Sequence, residues 1–262
     1  MRNKIIILCL FLAHFGLIHA QYVIEDSEEL ETLKKLPLEK VYVHANTSLI
    51  FPGEYLYFSM NCINAMSNRL STISRIGYIE LIDNNHKSIV KQKVALVKGK
   101  GQGDFFIPVT LPSGNYKLIA YTHWMRNAGL SQFYQDDIVV INPYQIDQEN
   151  LRNKKEESIE LNIVQENSAD MQLEDKSIEL QIGKNIFSKR EKVSLVPRNY
   201  KGSLGYGNYS ISVRLKNNLD VKPAMHATFF GNKYLSSTKI LPKNINDSIY
   251  LPEQRGELFY GR

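Results

Sequence analysis

The sequence predicts an all-β protein made of two consecutive antiparallel β-sandwiches behind a signal peptide. Three observations lead there. The chain holds 15 Tyr and 11 Phe among its 262 residues, and aromatic and β-branched side chains suit a pleated surface. Apolar residues recur at every second position in run after run, the period of a half-buried strand. The runs are short and separated by Asn, Asp, Gly and Pro, which close tight turns.

Residues 1–20 read as the signal: Arg2 and Lys4 lead into an apolar run over 5–18, and Ala20 is the small residue before Gln21. That run of about fourteen residues falls short of the roughly twenty a bilayer requires. No later segment is long and uncharged enough, so the reading is an exported chain with no transmembrane span of its own. The formal charge is +5, of which Arg2 and Lys4 supply two. The remainder is too mild to argue for nucleic acid. Cys9 lies in the leader behind Ile6-Ile7-Leu8, a poor lipid-attachment box. Cys62 is then left alone, so neither an internal disulfide nor a thiolate metal cluster is available.

Residues 21–37 form a short leader segment. Leu30, Leu33 and Leu36 sit at helical spacing there, with acids first and Lys34 and Lys35 last, the charge order a helix dipole favours. From 38 to 143 the period becomes two. Val41 and Val43 alternate with Tyr42 and His44, Phe51-Pro-Gly-Glu54 turns the chain, and further strands are expected over 55–61, 75–82, 87–97, 103–108, 115–122 and 138–141. The separators are Asp83-Asn84-Asn85, Gly99-Lys-Gly-Gln-Gly103 and Pro112-Ser-Gly114. Seven strands at this spacing make an antiparallel sandwich. Residues 144–157 read as a charged linker. A second sandwich is expected over 158–250, from alternation at 159–163, 178–182, 192–196 and 209–215. Residues 251–262 read as a linker or the start of a further β domain.

Catalytic patterns are mostly missing. Gly99 to Gly103 lacks the spacing and the following helix of a phosphate loop, so a hairpin or bulge is the better reading. His44, His86, His123 and His226 are far apart in sequence and have no paired acid beside them, which argues against a zinc site. Cys62 lies on an alternating strand, as a small buried hydrophobe does. Asp136 and Asp137 would point to opposite faces of a strand and so cannot serve one substrate. Edge charges that discourage strand addition are the reading for them. No cofactor, no metal and no enzymatic activity are expected.

The stretch Tyr121-Thr-His-Trp-Met-Arg-Asn127 holds the only tryptophan. Ahead of it, Gly114-Asn-Tyr116 entering a late strand resembles the tyrosine corner of immunoglobulin-like sandwiches, which makes Tyr116 structural. Tyr116, Leu118, Ala120 and Thr122 then share one face, and Lys117, Ile119, Tyr121 and His123 the other. Trp124 stands where the strand leaves the sandwich. It is either an inward plug with its edge hydrogen-bonded or, with Tyr121, His123, Arg126 and Asn127, a contact site for a partner or ligand.

These residues carry a resemblance. Glu39-Lys-Val-Tyr-Val-His44, Phe51-Pro-Gly-Glu54, Tyr57-Phe58, Tyr78-Ile-Glu-Leu-Ile-Asp83, Leu111-Pro-Ser-Gly-Asn-Tyr116 and Ala120-Tyr-Thr-His-Trp-Met-Arg-Asn127 together resemble the second macroglobulin-type domain of large exported proteins of Bacteroidota. The resemblance covers about 38–143. Ser188-Lys-Arg-Glu-Lys-Val193 and Tyr209-Ser-Ile-Ser-Val213 look like a following sandwich of the same type. It implies stacked, non-catalytic modules, often followed by a carboxypeptidase-regulatory-like sandwich and sometimes by an outer-membrane plug, with this chain as the front of a longer protein. No Cys-Gly-Glu-Gln motif occurs, so covalent trapping of proteases is not implied. The expected function is protein–protein binding or assembly in the periplasm, at the outer membrane or at the cell surface, with another envelope or outer-membrane protein as partner. The alternative is a carbohydrate-binding surface module that holds a glycan on Tyr121, Trp124 and Arg126.

Overall fold

Alternation and turn chemistry divide the front of the chain between two facing sheets. The computed structural model describes residues 27–144, 178–199, 209–214, 224–235 and 249–255. The expected signal, nearly all of the expected 144–157 linker and much of the expected second sandwich lie outside them.

A short helix α1 (Ser27–Lys34) opens the described chain and unwinds through turns at Lys35 and Leu36, whose amides bond back to Thr32 and Leu33. The strands are β1 (Glu39–Ala45), β2 (Leu49–Ile50), β3 (Tyr55–Asn64), β4 (Arg69–Leu70), β5 (Ile76–Ile82), β6 (Ser88–Ala95), β7 (Lys100–Phe106), β8 (Gly114–Thr122) and β9 (Tyr134–Val140). In the first sheet β3 lies between β1 and β7, with β4 paired to its end. The second sheet runs β2-β9-β8-β5-β6, antiparallel except for β2 against β9. The fold is an all-β sandwich, as its sequence predicts.

One side of every long strand packs inward. Val41 and Val43 of β1, Leu56, Met60 and Cys62 of β3, Leu81 of β5, Leu118 and Ala120 of β8 and Ile138 of β9 are all essentially inaccessible. Close packing at such sites makes truncation costly: Leu118→Ala is a loss of about 2–5 kcal/mol. Tyr116 donates its hydroxyl to the Pro112 carbonyl at 2.9 Å and so pins the turn to the strand, as expected of a tyrosine corner. Cys62 is buried, and burial followed by the nearby Glu39 carboxylate pushes its thiol well up, so it acts as an apolar filler.

Two expectations for the front of the chain need correction. The glycine-rich stretch is not a separator. The turn is Lys98–Gly99, both in the left-handed region at φ 52° and 78°, and Gly101 and Gly103 belong to β7. A Cβ on Gly101 would come within 2.5 Å of Val94, so that position needs glycine for close approach. The last strand also starts earlier than 138, and Asp136 and Asp137 lie inside it. They do point to opposite faces, but Asp136 is no edge charge. It is 7% exposed and faces inward, where it accepts the Met225 amide at 2.8 Å and the Tyr134 hydroxyl at 3.2 Å. β9 pairs with β8 along its length and with the short β2 only at Val139 and Val140.

Of the expected strands in the later half, 178–182 is β10 (Ile178–Ile182), paired antiparallel with β11 (Leu195–Asn199), a strand that begins at the end of the expected 192–196 run. The 159–163 run lies outside the described residues. The rest of the described later chain folds back on the front sandwich in three places. Residues 209–214, expected as a strand, form none and instead cross the outer face of the first sheet, where Ser210 bonds His44 and Ser59. The helix α2 (Ala227–Phe230) and the turn after it add Phe230 and Tyr234 to an aromatic cluster with Tyr42 and Tyr134. Residues 249–255 lie along the outer face of the second sheet.

Candidate functional site

Outward positions on β5 and β8 build the surface around 121–127. Tyr78 and Glu80 on β5 face away from the core, Tyr121 pairs with Tyr78 across the ladder, and His123 follows where β8 ends. Four rings stack in a row: His123 on Tyr78 at 4.9 Å, Tyr78 on Tyr121 at 5.3 Å, and Tyr121 on Phe133 at 4.4 Å, with interplanar angles of 9°, 11° and 11°. Such offset stacks are favourable because the quadrupoles of displaced rings attract. The Nζ of Lys91 lies 5.5 Å from the Tyr78 ring centre.

Glu80 anchors the row. Its carboxylate accepts the Tyr121 hydroxyl at 2.5 Å and pairs with Lys91 at 3.1 Å. Burial raises its pKa, but the bonds from Tyr121 and Lys91 outweigh that and hold the carboxyl below its usual range. The Tyr121 phenol moves the other way, pushed up by burial and then by the Glu80 bond. Tyr78 is pushed up to about 12 by burial and by Glu253. Burial lowers the pKa of His123, Glu253 opposes, and Arg126 and the two lysines lower it further.

The extended segment 249–255 occupies this surface. Asn127 reads the Tyr250 backbone from both sides, accepting its amide at 2.9 Å and donating to its carbonyl at 2.8 Å. The Arg126 guanidinium lies 3.7 Å from the Tyr250 ring centre and donates to the Tyr250 hydroxyl at 3.0 Å. Arg75 donates its amide to the Glu253 carbonyl at 2.9 Å. The Glu253 carboxylate accepts the Tyr78 hydroxyl, receives Lys93 at 3.4 Å and stands 3.9 Å from the His123 imidazole. Gln254 bonds the Ile73 carbonyl.

Trp124 settles inward. It is 0% exposed, donates its indole N–H to the Pro37 carbonyl at 2.9 Å, and packs with Leu36, Leu38, Ala65, Ile73, Ala128 and Ile249. It plugs the end of the sandwich and joins the leader segment to the later one. Of the five residues singled out in the sequence, His123, Trp124, Arg126 and Asn127 touch 249–255 directly. Tyr121 supports it through Tyr78. The glycan platform of Tyr121, Trp124 and Arg126 does not form: Tyr121 is sandwiched between Tyr78 and Phe133, Trp124 is enclosed, and Arg126 is spent on Tyr250.

Sequence reasoning missed a buried carboxylate. Glu39 is 1% exposed and accepts Ser71 Oγ at 2.5 Å, Ser74 Oγ at 2.6 Å, the Ser74 amide at 3.0 Å and Thr122 Oγ1 at 2.9 Å. Donors saturate it, so it locks β1 to β8 and to the 71–74 loop. The signal was in the pattern: Glu39 is in phase with Val41 and Val43, as Asp136 is with Tyr134 and Ile138, and an acid in phase with core residues is a buried acid with donors. Glu253 carried no such signal, since 249–255 shows no periodicity. Among the described residues no three His, Cys, Asp or Glu side chains converge as a metal set, and no helix is long and apolar enough to cross a membrane.

No protein-family model matches the chain, and no curated protein matches it significantly. Solved structures with similar parts include Salmonella alpha-2-macroglobulin reacted with methylamine, at 11% identity and TM-score 0.33 over 63% of this chain and 8% of that one. Escherichia coli alpha-2-macroglobulin activated by porcine elastase is similar at 14% identity and TM-score 0.33, over 39% of this chain and 8% of that one. A sporulation control protein from Bacillus subtilis is similar at 14% identity and TM-score 0.26, over 39% of this chain and 49% of that one. The chain thus spans less than a tenth of the length of these macroglobulins. A macroglobulin-like domain is the most such a likeness describes, and the sandwich fold rests on the ladders and core above.

Proposed function

We propose that the chain is a non-catalytic, exported β-sandwich module that holds polypeptide, acting in protein–protein binding or assembly in the periplasm or at the outer membrane. One observation carries this reading: the outer face around 121–127 seats an extended peptide, residues 249–255, by reading its backbone at Asn127 and Arg75 and its side chains at Arg126, Tyr78 and Lys93. Backbone bonds supply affinity and side-chain pockets supply selectivity, the division used where one protein recognises an extended segment of another. The buried acids Glu39 and Asp136 are engaged by donors from the fold, which suits a scaffold. The resemblance to exported macroglobulin-type modules supports the setting, with another envelope or outer-membrane protein as the partner.

Crosslinking in intact cell envelopes tests it. The parent chain is expected to capture a defined envelope protein, and Arg126→Ala with Asn127→Ala to lose it. No crosslinked partner, or equal capture by the variant, overturns the reading. Recovery of the chain from the cytoplasm of fractionated cells overturns the exported setting.

A further inference from the structure

The outer face of the first sheet is finished differently from that of the second, and it carries a second site. Outward residues of β1 and β3 form one wall of a cleft of about 1270 Å³, and residues 209–214, 224–227 and the β10–β11 hairpin form the other. The walls are tied at His44, which bonds Ser210 at 2.6 Å and Ser212 at 3.3 Å, and at Thr47, which accepts Arg214 at 3.1 Å. The lining mixes apolar side chains such as Ile63, Leu180 and Met225 with amides and hydroxyls, among them Asn46, Asn61, Asn68 and Ser212. Arg69 and Arg214 bring positive charge, and among the described residues no Asp or Glu lines the cleft.

At one end the face continues into aromatic rings. Asn46, in the cleft wall, accepts the Tyr57 amide at 3.0 Å, and Tyr57 starts a row with Tyr55 and Phe106. Tyr55 and Tyr57 are 49% and 55% exposed, with centroids 6.2 Å apart and planes 30° from parallel. These rings have open faces, which Tyr121 and Trp124 lack.

We propose that this face binds an acidic oligosaccharide, its sugar rings stacking on Tyr57 and Tyr55 and its carboxylate or sulfate groups meeting Arg69 and Arg214 in the cleft. The chemistry selects this ligand class over its rivals. A cleft larger than the roughly 300–1,000 Å³ that holds a drug-sized molecule suits an oligomer. The amides and hydroxyls among the lining residues suit a hydroxyl-rich chain with apolar ring faces, since each such group can pair with a sugar OH. A guanidinium binds carboxylate or sulfate through paired N–H donors. A purely apolar peptide would leave the lining amides unpaired.

The test is calorimetric titration of the chain with an oligogalacturonate, a sulfated oligosaccharide and a neutral cello-oligosaccharide of equal length. At least one acidic oligomer is expected to bind, and which one identifies the anionic group. The neutral oligomer should bind about tenfold more weakly, with the gap closing as salt is raised. Arg69→Gln and Arg214→Gln should each weaken the acidic ligand about tenfold. Tyr57→Ala should weaken acidic and neutral ligands alike, about fivefold. Lys117→Ala, on the opposite sheet, is the matched control and should bind as the parent does. Failure of both acidic oligomers to bind, equal binding of the neutral one, or arginine variants that bind like the parent overturns the proposal. So does equal binding of inorganic polyphosphate, which would mean that the cleft reads charge alone. Neither result bears on the 249–255 surface, so this site and the peptide site stand or fall separately.

Discussion

Tyr121 and Tyr57 hold comparable outward positions on central strands of the two sheets, yet Tyr121 is 8% exposed and Tyr57 is 55% exposed. Tyr121 is sandwiched between Tyr78 and Phe133, whereas Tyr57 stacks on Tyr55 alone, and the later chain treats the two faces differently as well. Residues 249–255 run along the second sheet and close it, with Glu253 on Tyr78 and Tyr250 under Arg126. Residues 209–214 touch the first sheet only near His44, Ser59 and Thr47, which leaves the rings at its far end bare. A strand with one side in the core has its second side decided by sequence-distant neighbours. On the closed face Arg126, Asn127, Tyr78 and Lys93 are engaged by 249–255, whereas on the open face the rings of Tyr55 and Tyr57 stay exposed.

The comparison breaks most severely at Trp124, where the closed face, the leader and the core meet. Trp124→Ala should cost about 3–5 kcal/mol, read as a shift of the urea midpoint, because no neighbouring side chain can refill an enclosed indole site. A smaller and more local effect is expected of Asn127→Ala, which leaves the Tyr250 backbone unpaired. It should destabilise 249–255 by about 1 kcal/mol, visible as faster amide exchange at Tyr250 with the core amides unchanged. Equal acceleration everywhere would mean that the segment is part of the cooperative unit and not a docked peptide.

Acid should weaken both faces slightly. His44 in the open cleft and His123 on the closed face both have pKa values lowered mainly by burial. The folded state thus favours the neutral ring, and the unfolded chain takes up the proton first. Stability from these groups is complete above the ordinary value of 6.5 and falls as pH drops through 6.5 toward the lower folded pKa. With both rings partly solvated, each contributes less than about 1 kcal/mol. His123→Gln and His44→Gln should each flatten the decline, measured by urea midpoints on either side of pH 6.5. The smallest effect belongs to the open rings: Tyr57→Ala should change stability by less than about 0.5 kcal/mol. A larger loss would show that Tyr57 is already covered, and would erase the contrast between the faces.

Much of this was legible in local pattern. Period two placed the long strands of the front sandwich, and the Gly-x-Tyr turn marked Tyr116 before its bond to Pro112 was seen. The parity of Tyr121 and His123 on one face and Thr122 on the other also holds. Less legible were positions where two distant elements meet. Gly101 and Gly103 looked like loop glycines because nothing local shows Val94 or Phe58 standing over them. Asp136 looked like an edge charge because Met225, which donates to it, is eighty-nine residues away. Trp124 was open in either direction until Pro37 and Ile249 closed over it.

By itself the sequence determined which side chains share a face, where the chain turns, and that the fold is a β-sandwich, because periodicity and turn propensity act over a few residues and need no distant partner. Only the tertiary structure decided which of those faces is covered. That choice depends on where 209–214, 225–235 and 249–255 come to rest, and contacts of such long sequence separation leave no local trace. The engagement of Arg126 and Asn127 by Tyr250 is of that kind.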